Sequence, residues 1–222
     1  MFHHKEAVRI KPDFTIGWYG LGQTYSKSSR FPLALEAYLK ACHEDKTDAW
    51  KKIEALLKNN RFTVTESGQI MDKESLIMLF DKNRRADITK MISECGFRAS
   101  VVPAITFRNI LFDTASADIK PVSIPQLNEI GEALKALGDL KIKISGHTDR
   151  RPFKGHAQKQ SDRMNMELSQ KRAESVARYL VNMVVSEQRI ITAGYGPSRP
   201  VAHDNTPEAY TQHRRVVIEM AE

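Results

Sequence analysis

Two oppositely charged side chains carry the most legible chemistry of this chain. Asp149 follows Ile144-Ser145-Gly146-His147-Thr148 and stands just past the end of a predicted strand in which Leu140, Ile142 and Ile144 alternate with polar residues. Arg172 lies in Leu168-Ser169-Gln170-Lys171-Arg172-Ala173, which reads as the first turns of an amphipathic helix. An acid and a base fixed on two rigid elements around a common space suit a ligand bearing both an ammonium and a carboxylate. Structural roles are open to the same residues: Asp149 could cap the loop after it, and Arg172 could pair with Asp149 or Asp113 to hold the fold.

Other chemistries find less support. There is no serine or cysteine nucleophile motif and no HExxH. The charged pair has opposite signs, unlike the two carboxylates of a glycosidase, so no enzyme is expected. Gly194-Tyr195-Gly196 lacks G-x-G-x-x-G and follows a predicted strand, which predicts a tight turn rather than a phosphate loop. His147 reads as a packing residue. Cys42 and Cys95 have neither metal-ligand spacing nor the count of a disulfide framework, and read as buried free thiols. Neither a metal nor a cofactor is expected.

The elements that must hold the pair follow from periodicity. Ile105 to Phe112-Asp113 predicts a strand, and Ile124, Leu127, Ile130, Leu134 and Leu137 fall at helical spacing. Leu140, Ile142 and Ile144 alternate with polar residues and predict a strand with one buried face. A polar loop over Arg150–Met164 leads to a long helix with Leu168, Val176, Leu180 and Met183 in its core stripe. Residues 189–193 and 215–219 predict two more strands. The order is βαβαββ, an α+β domain with helices packed on a mixed four-stranded sheet.

Residues 104–220, with Phe112-Asp113, Gly146-His147-Thr148-Asp149, Asn165, Leu168–Ala173, Gly194-Tyr195-Gly196, Pro200 and Arg214-Arg215-Val216 in this order, resemble the OmpA-like peptidoglycan-binding domain. The resemblance implies a ligand, the diaminopimelate residue of the peptidoglycan stem peptide. It implies that Asp149 receives the ammonium and Arg172 the carboxylate of that residue. Asn165 and Thr148 would add polar contacts, and Phe112, Asp113 and Leu168 would line the pocket. Lysine-type stems should bind worse. Two departures stand out. The loop 150–164 is longer than in the short lipoprotein members, closer to the flagellar-stator members, and basic through Arg150, Arg151, Lys154, Lys159 and Arg163. His213 replaces the asparagine that usually precedes the arginine pair. Of that pair, Arg214 and Arg215 read as a surface ion-pair or pocket-wall pair.

The first sixty residues have a different texture. Trp18, Leu21, Gly22 and Tyr25 stand at W-x2-L-G-x2-Y, with Ala34, Tyr38 and Ala41 on a second helix; this resembles a tetratricopeptide repeat. Gly22 and Ala34 would let the helices approach, and Pro32 is tolerated at a helix start. Ala7 and Pro12 fit the end of a preceding repeat, so a truncated array over residues 1–60 of a longer protein is expected, its targeting segment upstream. Asp48 predicts a cap for a third helix with Ala49, Trp50, Ile53, Leu56 and Leu57, ending at Asn59-Asn60. The repeat implies a protein client of unknown identity.

Residues 61–103 read as a connector or small helical module. Phe62–Thr65 predicts a short strand, Ser67-Gly68 a turn, Lys73–Phe80 and Ala86–Cys95 two helices, and Lys82–Arg85 a solvated connection.

The bulk numbers add exclusions. The +7 net charge is spread evenly: residues 1–103 carry 17 basic against 13 acidic side chains, and residues 104–222 carry 17 against 14. A diffuse excess without a reader motif argues against nucleic acid. No run approaches the length of a membrane span. The chain reads as a periplasmic protein, associated with the cell wall or outer membrane, that tethers a scaffold to peptidoglycan. The competing reading is a motor- or secretion-associated scaffold whose OmpA-like domain does not bind the wall.

Overall fold

A computed structural model describes residues 2–42, 48–58, 61–66, 68–101, 104–183, 185–202 and 206–221. It divides into two compact units, residues 1–64 with 71–103, and residues 65–70 with 104–222.

Apolar residues at helical spacing build the first unit from α1 (Phe2–Ile10), α2 (Thr15–Lys27), α3 (Phe31–Cys42), α4 (Asp48–Lys58), α5 (Lys73–Phe80) and α6 (Lys82–Glu94). Helix α3 is the centre. Ten of its residues are buried, and a helix apolar on every side belongs in an interior. Helices α2, α4, α5 and α6 pack around it. Leu35 and Leu39 are fully buried and each contribute roughly 2 kcal/mol through lost water contact. Gly22 permits the closest approach: a Cβ there would lie 2.6 Å from the Tyr38 ring.

Polar groups fasten the rim of this unit. Asp72 caps α5 by accepting from the N–H groups of Glu74 and Ser75. Arg30 grips the same carboxylate through two bonds of 2.8 Å. The Lys82–Arg85 cluster is not a solvated connection. It forms the first turn of α6, where Arg84 bonds Glu36 at 2.5 Å and Arg85 donates to the last carbonyls of α5, Leu79 and Phe80. These pairings lie 48 and 5–6 residues apart, and the charge run alone does not disclose them. Residues 71–101 thus pack with the early helices instead of forming a separate module. Asn59-Asn60 and Ser67 lie outside the described residues.

The second unit is built on a five-stranded sheet of order β1-β2-β5-β3-β4, with β1 (Val64–Thr65), β2 (Ala104–Phe107), β3 (Ile142–His147), β4 (Ile190–Gly194) and β5 (Arg215–Met220). The expected four strands gain a fifth because Thr65 O accepts from Arg108 N–H at 3.0 Å beside β2. Strand β5 pairs antiparallel with both β2 and β3, and β3 pairs parallel with β4. Helices α7 (Ile124–Ala136), α8 (Gln158–Asn182) and α9 (Pro207–His213) complete the unit. Helix α8 is the crossover that a parallel β3–β4 pair requires, and it packs on both strands. Gly146 lets it do so, since a Cβ there would sit 2.1 Å from the Ser169 carbonyl oxygen.

Three expectations are corrected here. Strand β2 ends at Phe107, not Phe112. The chain turns at Asn109, whose buried amide accepts from Thr65 Oγ1 at 2.8 Å and donates to Gln126 Oε1 at 2.9 Å. Phe112 then bridges Ile119 across a loop. The polar stretch after Asp149 is shorter than expected, because α8 starts at Gln158, and Arg172 therefore lies mid-helix rather than in its first turns. Helix α9, between the last two strands, was not expected at all.

Candidate ligand-binding site

A cleft of about 530 Å³ opens at the C-terminal end of β3. Strand β3 delivers Thr148 and Asp149 to it, and α8 delivers Asn165, Leu168 and Arg172. The loop after β2 supplies Phe112 and Asp113. The seven side chains singled out in the sequence therefore share one cleft. Arg151, Pro152, Phe153 and Lys154 close one side, and Arg214, just after α9, another. Four cationic side chains face two carboxylates, so the cleft favours a ligand with excess negative charge.

Arg172 is 9% exposed and is held rigidly. Its Nε donates to Ser116 O at 2.9 Å and its Nη2 to Asp113 O at 3.3 Å, while its plane lies 4.9 Å from the Phe112 ring centroid. It pairs with neither carboxylate directly. A guanidinium has five N–H donors, so three remain unused by the described residues. Burial, and then Arg214 nearby, lower its pKa, which means its charge lacks full compensation.

Asp149 is 7% exposed and already engaged. Oδ1 accepts from Arg151 N–H at 3.0 Å, closing the loop cap that was the alternative reading of this residue. Oδ2 accepts from Arg151 Nη2 at 2.9 Å and from Arg214 Nη1 at 2.6 Å. Burial alone would raise its pKa, but the bonds from Arg151 and Arg214 outweigh burial and hold the carboxyl below the usual carboxylate range.

The remaining residues divide by role. Asn165 Nδ2 donates to Arg151 O at 3.4 Å and steadies the loop. Thr148 Oγ1 is buried without a hydrogen-bond partner among the described residues, and it lines the cleft. Asp113 is largely exposed, 3.7 Å from Lys120 Nζ. His147 is buried and stacks on Tyr195 at 5.4 Å, and burial, then Arg215 and Arg199, push its pKa down to about 3. It is a neutral packing group at ordinary pH. His213 supplies Nδ1 as the acceptor for Val201 N–H at 3.3 Å, so this departure still provides a local bond. Gly194-Tyr195-Gly196 is a turn: Tyr195 N–H donates to Gly146 O, and Gly196 O accepts from Thr148 N–H, both at 3.0 Å.

Sequence reasoning missed the two arginines on Asp149 as its partners. Arg151 was legible in principle, because aspartate two residues before a backbone N–H commonly closes such a turn. Arg214, expected with Arg215 as a surface ion-pair or pocket-wall pair, does line the cleft, but Asp149 lies 65 residues away and no local signal joins the two, while Arg215 is buried rather than at the surface.

The second unit is thus a mixed sheet with a crossover helix and a charged cleft at its strand end. Residues 111–214 match the OmpA family model, and this part of the chain is an OmpA-like domain. The chain is similar to "Probable lipoprotein YiaD" of Escherichia coli, at 37% identity over 51% of this chain and 48% of that one. It is 44% identical to the "Peptidoglycan-associated lipoprotein" of Buchnera aphidicola, over 41% of this chain and 49% of that one. It is 35% identical to the "Peptidoglycan-binding protein ArfA" of Mycobacterium tuberculosis, over 56% of this chain and 36% of that one. The chain thus spans about half the length of these relatives or less. A solved peptidoglycan-associated lipoprotein from Burkholderia pseudomallei aligns with a TM-score of 0.44 and 27% identity, over 50% of this chain and 88% of that one. No helix among the described residues is long and apolar enough to cross a membrane.

Proposed function

We propose that the OmpA-like domain binds peptidoglycan non-covalently, through the diaminopimelate of the stem peptide, and anchors the chain to the cell wall without catalysing a reaction on it. The observation that carries this reading is the unspent donor capacity of Arg172 beside the carboxylate of Asp149. A ligand carboxylate takes the free edge of the Arg172 fork, a charge-assisted contact that contributes about 1.5–3 kcal/mol. The ligand ammonium takes the remaining lone pair of Asp149 Oδ1, since Arg151 and Arg214 already crowd Oδ2. Thr148 Oγ1 supplies a third polar contact. A lysine-type stem lacks the carboxylate and leaves Arg172 unmatched. The names of the relatives in Escherichia coli, Buchnera and Mycobacterium support a wall or lipoprotein setting in the cell envelope.

The helical unit, in this reading, is a tetratricopeptide-like scaffold for a protein client, and Gly22 against Tyr38 is the packing such a hairpin needs. Co-sedimentation with purified sacculi tests the anchor. Wild-type chain should pellet, and Arg172→Lys, which keeps the charge but loses the planar fork, should weaken retention more than tenfold. Wild-type chain left in the supernatant would instead favour the motor- or secretion-associated scaffold without wall binding. Arg172→Ala is a poorer probe, because Arg172 also pins the carbonyls of Asp113 and Ser116.

A further inference from the structure

The two cysteines, far apart in sequence, meet in the helical unit. Cys42 ends α3 and is buried, while Cys95 follows the last residue of α6 and is half-buried. The Cys95 thiol lies 3.7 Å from the Leu39 carbonyl oxygen, one helical turn before Cys42. Helical side chains lean back over the preceding turn, so the Cys42 side chain at the end of α3 leans toward that same carbonyl. Neither thiol has a role in the cleft of the other unit, and among the described residues no cluster of histidine, cysteine or acidic groups could hold a metal.

We propose that Cys42 and Cys95 are a disulfide-forming pair that fastens the end of α3 to the end of α6. The proposal draws on the envelope location above, because disulfides persist in oxidising compartments. The oxidant is the disulfide of a thiol–disulfide oxidoreductase. The Cys95 thiolate, the more accessible of the two, attacks one sulfur of that disulfide and releases the other as a thiolate. Cys42 then attacks Cys95 Sγ and expels the second oxidant sulfur. The protein loses two protons and two electrons, and the oxidant becomes a dithiol. Burial, and then Cys42 itself, push the Cys95 thiol up to about 12. Little thiolate exists at neutral pH, so closure is slow without a dedicated oxidant and quickens as pH rises.

The bond would close a loop of more than fifty residues in the unfolded chain, the situation in which a cross-link restricts that state most. The test uses purified full chain treated with oxidised glutathione at pH 8.5. After alkylation under denaturing conditions, mass spectrometry should find both thiols gone, with the loss of two hydrogens and no added glutathione. The product should migrate as a monomer. Its melting temperature should rise by about 5 °C or more, and dithiothreitol should reverse the rise. Cys95→Ser and Cys42→Ala should each abolish the shift while folding as the reduced chain does. Two alkylatable thiols after full oxidation, or Cys95 stalled as a glutathione adduct, would overturn the pairing. Trapping thiols in intact cells separates the two readings. A pair that closes in the purified chain but stays reduced in cells would count against the envelope location and leave the pairing standing.

Discussion

The two units bury different chemistry. Among the described residues, the helical unit hides only Thr63 and Ser75 as polar side chains, and its core is otherwise apolar. The sheet unit hides Asp149, Arg172 and Arg215 together with a set of neutral polar groups, most of them near the C-terminal end of β3. Buried charge is expensive unless matched, and Arg215 illustrates the cost: burial, then Arg108 and Arg199, push its pKa down to about 10. One unit therefore buries almost only apolar side chains, whereas the other keeps charged side chains buried around its cleft.

The contrast can be broken most forcefully from the helical side. Leu35→Ala empties a fully buried site at the middle of α3 and should cost about 2–5 kcal/mol, read by urea unfolding. Sacculus retention of the folded fraction should stay unchanged. A parallel loss of retention would mean the units do not divide their labour.

Acid sharpens the comparison from the other side. His147 titrates at about 3 in the folded protein against about 6.5 unfolded. Its contribution is complete above the unfolded value, because the fold favours the neutral ring. It is lost as pH falls from about 6.5 towards 3, where the unfolded chain binds the extra proton. Asp149 and Asp72 both have depressed folded pKa values, so they contribute above about 4 and lose that contribution only as pH falls further. The sheet unit should therefore begin to soften near pH 6 and the helical unit only below about 4, as followed by residue-resolved hydrogen exchange. His147→Phe should flatten the sheet unit's slope between pH 6 and 4. An unchanged slope would place the titrating group elsewhere.

The smallest effect belongs to the rim. Arg151 is more than half exposed, and Arg151→Gln should change stability by under about 1 kcal/mol, measured by thermal melting. It should alter sacculus retention only a few-fold, since Arg214 still holds Asp149 at 2.6 Å. A loss as large as that of Arg172→Lys would make Arg151 a direct ligand contact.

Periodicity made some of this legible. Helix α5 falls on Lys73–Phe80, as its apolar spacing predicts. The cleft residues were within reach because Asp149 and Arg172 sit beside strongly patterned elements. Helix α8 starts earlier than its apolar stripe predicts, because Gln158 to Met164 is a polar run in which only Ser161 is buried. Those turns brace the loop before them, Ser161 Oγ accepting from Phe153 N–H and Gln158 Nε2 donating to Arg150 O, rather than filling the core, so hydrophobic periodicity has nothing to report there. The two-residue strand β1 is too short to carry a pattern. Arg214 on Asp149 and the carbonyls that hold Arg172 are set by long-range packing, and no local window contains them, whereas Arg151 lies only two residues from Asp149.

Strand β5 lies between β2 and β3, so those two strands meet only through it. During synthesis, everything up to α9 can emerge from the ribosome while the sheet is still in separate pieces. Residues 215–220 are the keystone, and Arg214, which completes the cleft around Asp149, emerges immediately before them. Closure of the sheet and completion of the cleft around Asp149 therefore coincide.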